Sequence, residues 1–369
     1  MRIKNAKVFV GKTFIDADIE FDQKITAVGR LEGEADLDCA GCYVIPGLVD
    51  IHTHGAMGED FSDGKGDKLQ LMADYYAAHG VTSFLATTMT LKEEVLTPAM
   101  HAIRDFARKG GAKCAGIHLE GPFLGYAKRG AQAAENLHKP DPDLFDRLNA
   151  ASGGKVKLVT VACEEEGGMD FVANVSKKCT VSLGHTSADY DQAMEAFARG
   201  ASHATHLYNG MDGLHHRKPG IIAAAMDAGA SVELICDGLH IHPAAIRLAH
   251  KLYGDKLNLV SDSLRCAGMP EGQYDVGGQQ IIVKGGLARL LDGTIAGSAS
   301  TLYDGLRKAI SFGIPEEDAV RACTYNPACA LHAEDEIGSI ASGKNADFLI
   351  CSGDYSEKRV FLGGKELTN

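Results

Sequence analysis

From Tyr43 onward the chain alternates short apolar, often β-branched runs with amphipathic stretches. The runs are "YVIPGLVDIHTH", "GVTSFLATTMT", "AGIHLEGP", "VKLVTVACE", "TVSLGHTS", "SHATHLYN", "VELICDGLH" and "LNLVSDS", eight in all. Their spacing of roughly 20 to 40 residues predicts a strand, a loop and a helix per unit, and eight such units close a barrel. One intervening stretch, "TSADYDQAMEAFARGA", reads as a helix. Ser187 or Asp189 caps it, Met194 and Phe197 recur at helical spacing, and Gly200 stops it. The two ends of the chain break this rhythm. "RIKNAKVFV", "DADIEFD" and "KITAVG" precede the first unit, and "ADFLICSG" and "KRVFLGGKEL" follow the last, all patterned as short strands. The expected architecture is therefore α/β: a (β/α)8 TIM-like barrel over residues 43–336, and a small β-sandwich domain built from both termini, residues 1–42 plus 337–369.

Composition narrows the class of protein. The chain of 369 residues is 45% hydrophobic and 23% charged, with 43 glycines and no tryptophan, as expected of a globular fold rich in tight turns. Its opening, "MRIKNAKVFVGKTFIDADIEF", has no long apolar core of a signal peptide, and no run approaches the roughly 18 apolar residues of a membrane span. A cytoplasmic protein with no membrane partner is expected. A net charge of −12 argues against a nucleic-acid partner. It leaves room for a small anionic substrate, because a few local cations and backbone N–H groups suffice to bind one phosphate. The ten cysteines lie mostly inside apolar runs, which suits reduced, packed thiols. Cys39 and Cys42 alone have metal-type spacing, and with no second pair they read as packing residues.

Functional side chains of such a barrel stand at the C-terminal ends of its strands. His52 and His54 end the first run, Glu120 the third, His185 the fifth, His206 the sixth, His240 the seventh and Asp262 the eighth. Side chains two apart on a strand share a face, so His52 and His54 can both point into the barrel mouth. By the same parity His203, three before His206, should face outward, and His118, one layer below Glu120, should be a hydrogen-bonded core residue. Imidazoles with carboxylates suit a divalent ion, zinc first, with iron, cobalt or manganese fitting the same donors. Such an ion lowers the pKa of bound water to about 7, and Asp262 alongside can take that proton and hand it to a leaving amine. The constellation is hydrolytic.

These features together resemble the amidohydrolase superfamily. Within it, "GIHLEGPFL", "SLGHTSADYDQ", "THLYNGM", "DGLHIHP" and "GTIAGSASTL" resemble the family of N-acetylglucosamine-6-phosphate deacetylases, along nearly the whole chain. The resemblance implies hydrolysis of N-acetylglucosamine 6-phosphate to glucosamine 6-phosphate and acetate. It makes Glu120, His185 and His206 the core metal ligands, Asp262 the general acid and base, and His52 with His54 the ligands of a second ion, with Glu120 as bridge. One or two ions per subunit are thus expected. It places substrate contacts on Ala131, Gln132, Asn209, Gly210, Arg217, His240 and the segment Ile295, Ala296 and Gly297, with Arg217 and His240 on the phosphate. Some phosphate contacts in the family come from a neighbouring subunit, so a homodimer is expected.

Three positions depart from the family pattern. Gln132 stands where several members place a histidine, Ser263 follows Asp262 in place of alanine, and Gly210 follows Asn209 where alanine is common. That histidine polarises the acetyl carbonyl in the family, a role the resemblance here assigns to a second ion, with Gln132 donating only a neutral hydrogen bond; Ser263 and Gly210 remove no reactive group and bear on substrate preference, not on the reaction class. Two other readings share the fold: an amidohydrolase acting on a related N-acetyl hexosamine phosphate, a cyclic amide or a dipeptide, and a non-catalytic barrel scaffold.

Overall fold

The computed structural model describes residues 1–367; the last two residues of the predicted terminal domain lie outside it. Eight parallel strands stand side by side in chain order: Leu48–Thr53, Val81–Thr88, Lys113–Glu120, Val156–Val161, Thr180–Leu183, His203–Ala204, Ser231–Ile235 and Leu257–Val260. The seam between last and first is closed by backbone bonds from Asp262 N–H to His52 C=O, 2.9 Å, and from His54 N–H to Ser263 C=O, 2.8 Å. Helices wrap the outside, and they begin as local sequence dictates. Asp189 caps the helix Tyr190–Ala198 and forms a capping box with Gln192, which satisfies orphan N–H groups reciprocally. That helix buries Ala193 and Ala196, while Met194 and Phe197 are only half-buried.

The barrel interior is layered by polarity. Val49, Ile51, Leu85, Leu158 and Val260 form an apolar floor, packed against Ala328, Leu331 and Ile337. Above it lies a buried polar layer. His118 Nε2 meets Thr160 Oγ1 at 2.8 Å, Thr160 meets Thr205 at 2.8 Å, Thr205 meets Ser182 at 2.6 Å, and Ser182 meets His203 Nδ1 at 3.0 Å. Each of these side chains gains a partner in place of water, while His118 Nδ1 and His203 Nε2 have none among the described residues. The next layer up is the mouth.

The chain ends form one eight-stranded sheet in which Tyr43–Pro46 is flanked by Arg2–Val10 and Phe348–Cys351. The sheet folds over on itself as a β-sandwich. Phe21, from the strand Thr13–Phe21, reaches within 5.0 Å of Phe348 and 5.8 Å of Phe361 across a shared core with Ile3, Val8, Ile19 and Val44. This corrects the boundary drawn at residue 43. "YVIPGLVDIHTH" is two strands in two sheets, and its first four residues belong to the terminal sheet. The chain crosses over at Gly47, where a Cβ would lie 2.1 Å from the Thr82 hydroxyl, so only glycine passes. At the other end Ile337 still packs against the barrel floor, and Ile340 is the first residue buried in the sandwich.

A further element follows the eighth strand. Gly272–Val276, Gln279–Lys284, Leu287–Leu290 and Ile295–Ser298 make an antiparallel four-stranded sheet, turned at Gly277–Gly278 and Gly285–Gly286. Its last strand borders the barrel mouth through a bridge from Ser298 to Ser263.

Candidate active site

His185, His206 and Asp262 follow their strands in left-handed backbone conformations, with φ of 47°, 26° and 47°. Non-glycine residues adopt this region at a cost of order 1–3 kcal/mol, and such strain collects at functional sites. Here it turns each side chain into the mouth immediately after its strand. It also explains why parity failed for His203. That strand is only His203–Ala204, and the twist at His206 lets both His203 and His206 face the interior, one beneath the other. His203 is buried in the polar layer and does not face outward.

Six side chains converge. Glu120 Oε1 lies 3.2 Å from His185 Nε2 and 3.1 Å from His206 Nε2, which are 3.0 Å from each other. Glu120 Oε2 lies 3.2 Å from His54 Nε2, and Oε1 lies 3.3 Å from His52 Nε2. Asp262 Oδ1 stands 3.5 Å from His52 Nε2 and 3.4 Å from His54 Nε2. The sets Glu120, His185, His206 and His52, His54, Glu120 each bring one ligand atom per residue within 4.8 Å of the others. Imidazole lone pairs gathered this closely repel unless a cation sits among them, so the donors fit one or two divalent ions sharing Glu120. The electrostatics agree. Burial disfavours a charged imidazole, yet Asp262 and Glu120 outweigh it and hold His54 at about 9. Burial would likewise raise the carboxyl of Asp262, but His52 and His54 keep it below its usual range.

The remaining ring nitrogens fix orientation. His185 Nδ1 donates to the Lys128 carbonyl at 2.8 Å, and His206 Nδ1 to the Asn209 carbonyl at 3.1 Å. His52 Nδ1 instead donates to a carboxylate, Glu233 Oε2, at 2.8 Å. Glu233 was missed in the sequence, although a glutamate inside "SVELICDG", on a strand buried from Val232 to Ile235, was a visible signal. A buried charge needs a partner.

A cavity of about 290 Å³ opens over this cluster. Ala131, Gln132, Asn209, Gly210, His240, Ile295, Ala296 and Gly297 all line it; Arg217 does not. Arg217 lies exposed on its loop, paired with His216. Gln132 spends its amide on structure: Nε2 donates to Glu120 Oε2 at 2.8 Å, and Oε1 accepts from Thr90 N–H at 3.0 Å. His240 is held at Nδ1 by Asp237, 2.7 Å, and at Nε2 by the Ala296 carbonyl, 2.8 Å. Burial opposes its charge, but the Asp237 carboxylate raises its pKa, and acceptors at both ring nitrogens suit the protonated ring. At Gly297 a Cβ would sit 2.5 Å from the Asp262 carbonyl, so this glycine lets the cavity wall approach the acid. Ser263 turns away from the cavity to Thr53 Oγ1, 2.6 Å, and the Gly55 carbonyl, 3.0 Å. Its departure from the family pattern therefore falls at the barrel seam, away from the cavity.

His118 gives a pH prediction. Burial, reinforced by His52, holds its pKa down at about 3 against the usual 6.5. Below 6.5 the unfolded chain takes up a proton that the folded chain refuses, so stability falls as pH drops toward 3. The slope approaches about 1.4 kcal/mol per pH unit from this group. Denaturant unfolding from about pH 7 to pH 4 should show a shallower acid loss in His118→Gln than in the wild type.

Comparison with known proteins bears on the same site. Residues 43–367 match the amidohydrolase family. The chain is 39% identical over 324 residues to the N-acetylglucosamine-6-phosphate deacetylase of Bacillus subtilis, covering 85% of this chain and 82% of that one. It is 32% identical to the N-acetylgalactosamine-6-phosphate deacetylase of Escherichia coli O157:H7, covering 92% and 89%. A solved structure of a mutant Mycobacterium smegmatis N-acetyl-D-glucosamine-6-phosphate deacetylase, in complex with N-acetyl-D-glucosamine-6-phosphate, superposes with a TM-score of 0.94 at 32% identity over 100% of this chain and 99% of that one. The chain belongs to the amidohydrolase family and, within it, to the N-acetylglucosamine-6-phosphate deacetylases it matches along most of its length.

Proposed function

We propose that this protein hydrolyses the acetamide of N-acetylglucosamine 6-phosphate, releasing acetate and glucosamine 6-phosphate. One observation carries the reading: Glu120, His185 and His206 meet at the floor of a cavity whose wall presents Asp262. A bound divalent ion, zinc or else iron, cobalt or manganese, supplies an acidified water and a Lewis acid for the acetyl carbonyl. Asp262 accepts the proton of the attacking water as the new C–O bond forms. It then delivers that proton to the nitrogen as the C–N bond breaks, so the sugar leaves as a neutral amine. His240, fixed by Asp237, faces the phosphate end of the substrate, while Ala131, Asn209, Gly210 and the segment Ile295–Gly297 shape the sugar site. Gln132 orients the Glu120 carboxylate.

Arg217 supports a homodimer. It lies away from the cavity of its own chain, which suits a phosphate clamp reaching into a partner's site, with its planar fork taking two phosphate oxygens. Among the described residues no helix is long and apolar enough to cross a membrane. We place the enzyme in the cytoplasm, in amino-sugar catabolism. The likeness to an N-acetylgalactosamine-6-phosphate deacetylase makes that epimer the second candidate.

Acetate release from the 6-phosphates of N-acetylglucosamine, N-acetylgalactosamine and N-acetylmannosamine, beside a cyclic amide and a dipeptide, tests the reading. The glucosamine derivative should turn over with the highest kcat/KM. Activity confined to the cyclic amide or the dipeptide would overturn it, and inactivity on every compound by metal-loaded protein would favour a scaffold.

A further inference from the structure

The four histidines of the cluster are not held alike. Those expected at the first ion, His185 and His206, rest their outer nitrogens on main-chain carbonyls, which are neutral. His52 rests on Glu233, a fully buried carboxylate on the seventh strand. The same oxygen accepts the backbone N–H of His206 at 3.1 Å, so Glu233 ties the first-strand ligand to the sixth-strand turn. A bond at Nδ1 forces the His52 lone pair onto Nε2, the atom that faces Glu120 and His54. Partners of this kind raise ligand basicity as well as fixing the ring.

Charge gives the second reason. Two divalent ions carry four positive charges into a cluster of buried side chains. Glu120 and Asp262 answer two of them, and Glu233 adds a third within the same cluster. A single ion on Glu120, His185 and His206 does not call for that charge beneath His52. We infer that Glu233 is the positioning residue that commits the His52–His54 pair to a second cation, and that its carboxylate, acting through His52, sets the affinity of that position. The inference rests on the two-ion form of the reading above and adds the residue that decides it.

The test is titration of metal-free protein with Zn²⁺ or Co²⁺ by calorimetry, with bound metal counted after gel filtration. Wild type should bind two equivalents. Glu233→Gln should keep the first with unchanged Kd and lose about 10- to 100-fold in affinity for the second. In a His52→Gln background the same change should have no further effect, since Glu233 acts through that ring. Glu233→Asp keeps the charge but cannot span the 2.8 Å bond to His52; it should also weaken the second equivalent, and it serves should the glutamine variant not fold. Two unaltered equivalents in Glu233→Gln and Glu233→Asp overturn the inference alone. Equal weakening of both equivalents, with a lowered unfolding midpoint of the metal-free protein, assigns Glu233 a structural role and overturns it as well. A wild type that saturates at one equivalent removes the two-ion reading and this inference together.

Discussion

Replacing Asp262 with asparagine should reduce kcat by about 10⁴-fold or more while leaving metal content and KM within a few-fold of wild type. One positioned acid or base contributes typically 10²–10⁴ in rate. Asp262 serves two transfers in turn, from water and then to the amine, so the upper end of that range applies, on the order of 5 kcal/mol of barrier. Asparagine is the informative replacement for three reasons. It keeps the shape and a hydrogen-bonding oxygen beside His52 and His54. It tolerates the left-handed backbone at φ 47° better than most residues. It cannot accept the water proton. The wall at Gly297 is close, since a Cβ added there would lie 3.0 Å from Asp262 Oδ1, so a larger side chain at 262 would be crowded. Steady-state kinetics with metal analysis checks the prediction; a variant holding wild-type metal and retaining kcat within tenfold would remove Asp262 from both transfers.

How much of this was legible in the sequence differs from residue to residue, for physical reasons. The eight barrel strands were visible because strands covered on both faces must be apolar throughout, and each run ends where the mouth begins. His52, Glu120, His185 and Asp262 were visible for the same reason, as ionisable residues at the ends of such runs. Tyr43–Pro46 was not separable from Leu48–Thr53, because both segments are buried and hydropathy does not record which sheet a strand joins. His203 was misplaced because parity holds only for regular strands, and the backbone at His206 is not one. Thr160, Ser182, Thr205 and Glu233 were overlooked because single polar residues in apolar runs look like noise until their partners, distant in sequence, are seen beneath the ligands. Arg217 was legible as a cation and illegible in position, since its loop reaches the cavity of its own chain at Asn209 and Gly210 and carries Arg217 away from it.

Removing the metal with a chelator should abolish turnover, destabilise the protein, and make its stability fall at high pH in a way the metal-loaded form does not. An ion present at 100 to 1,000 times its Kd stabilises the folded state by about 2.7 to 4.1 kcal/mol, all of which chelation withdraws. What remains is a buried cluster of carboxylates, Glu120, Asp262 and Glu233, whose counter-charges among the described residues are protons on the histidines. Burial opposes those protons, but Glu233, Glu120 and Asp262 raise His52 well above its usual 6.5, and Asp262 with Glu120 holds His54 at about 9. A histidine whose folded pKa is raised stabilises the fold fully below 6.5 and loses that contribution as pH rises through the folded value. The metal-free protein should therefore lose stability between about pH 7 and pH 9, as His54 sheds its proton and leaves the carboxylates unbalanced. The loaded protein has already given up those protons to bind the ion, so its midpoint should stay level over the same range and the gap between the two should widen. Thermal unfolding of both forms across that range, with activity restored by Zn²⁺, Co²⁺ or Mn²⁺, measures this directly. A metal-free midpoint that rises with pH would show that protons do not stand in for the cation at this cluster.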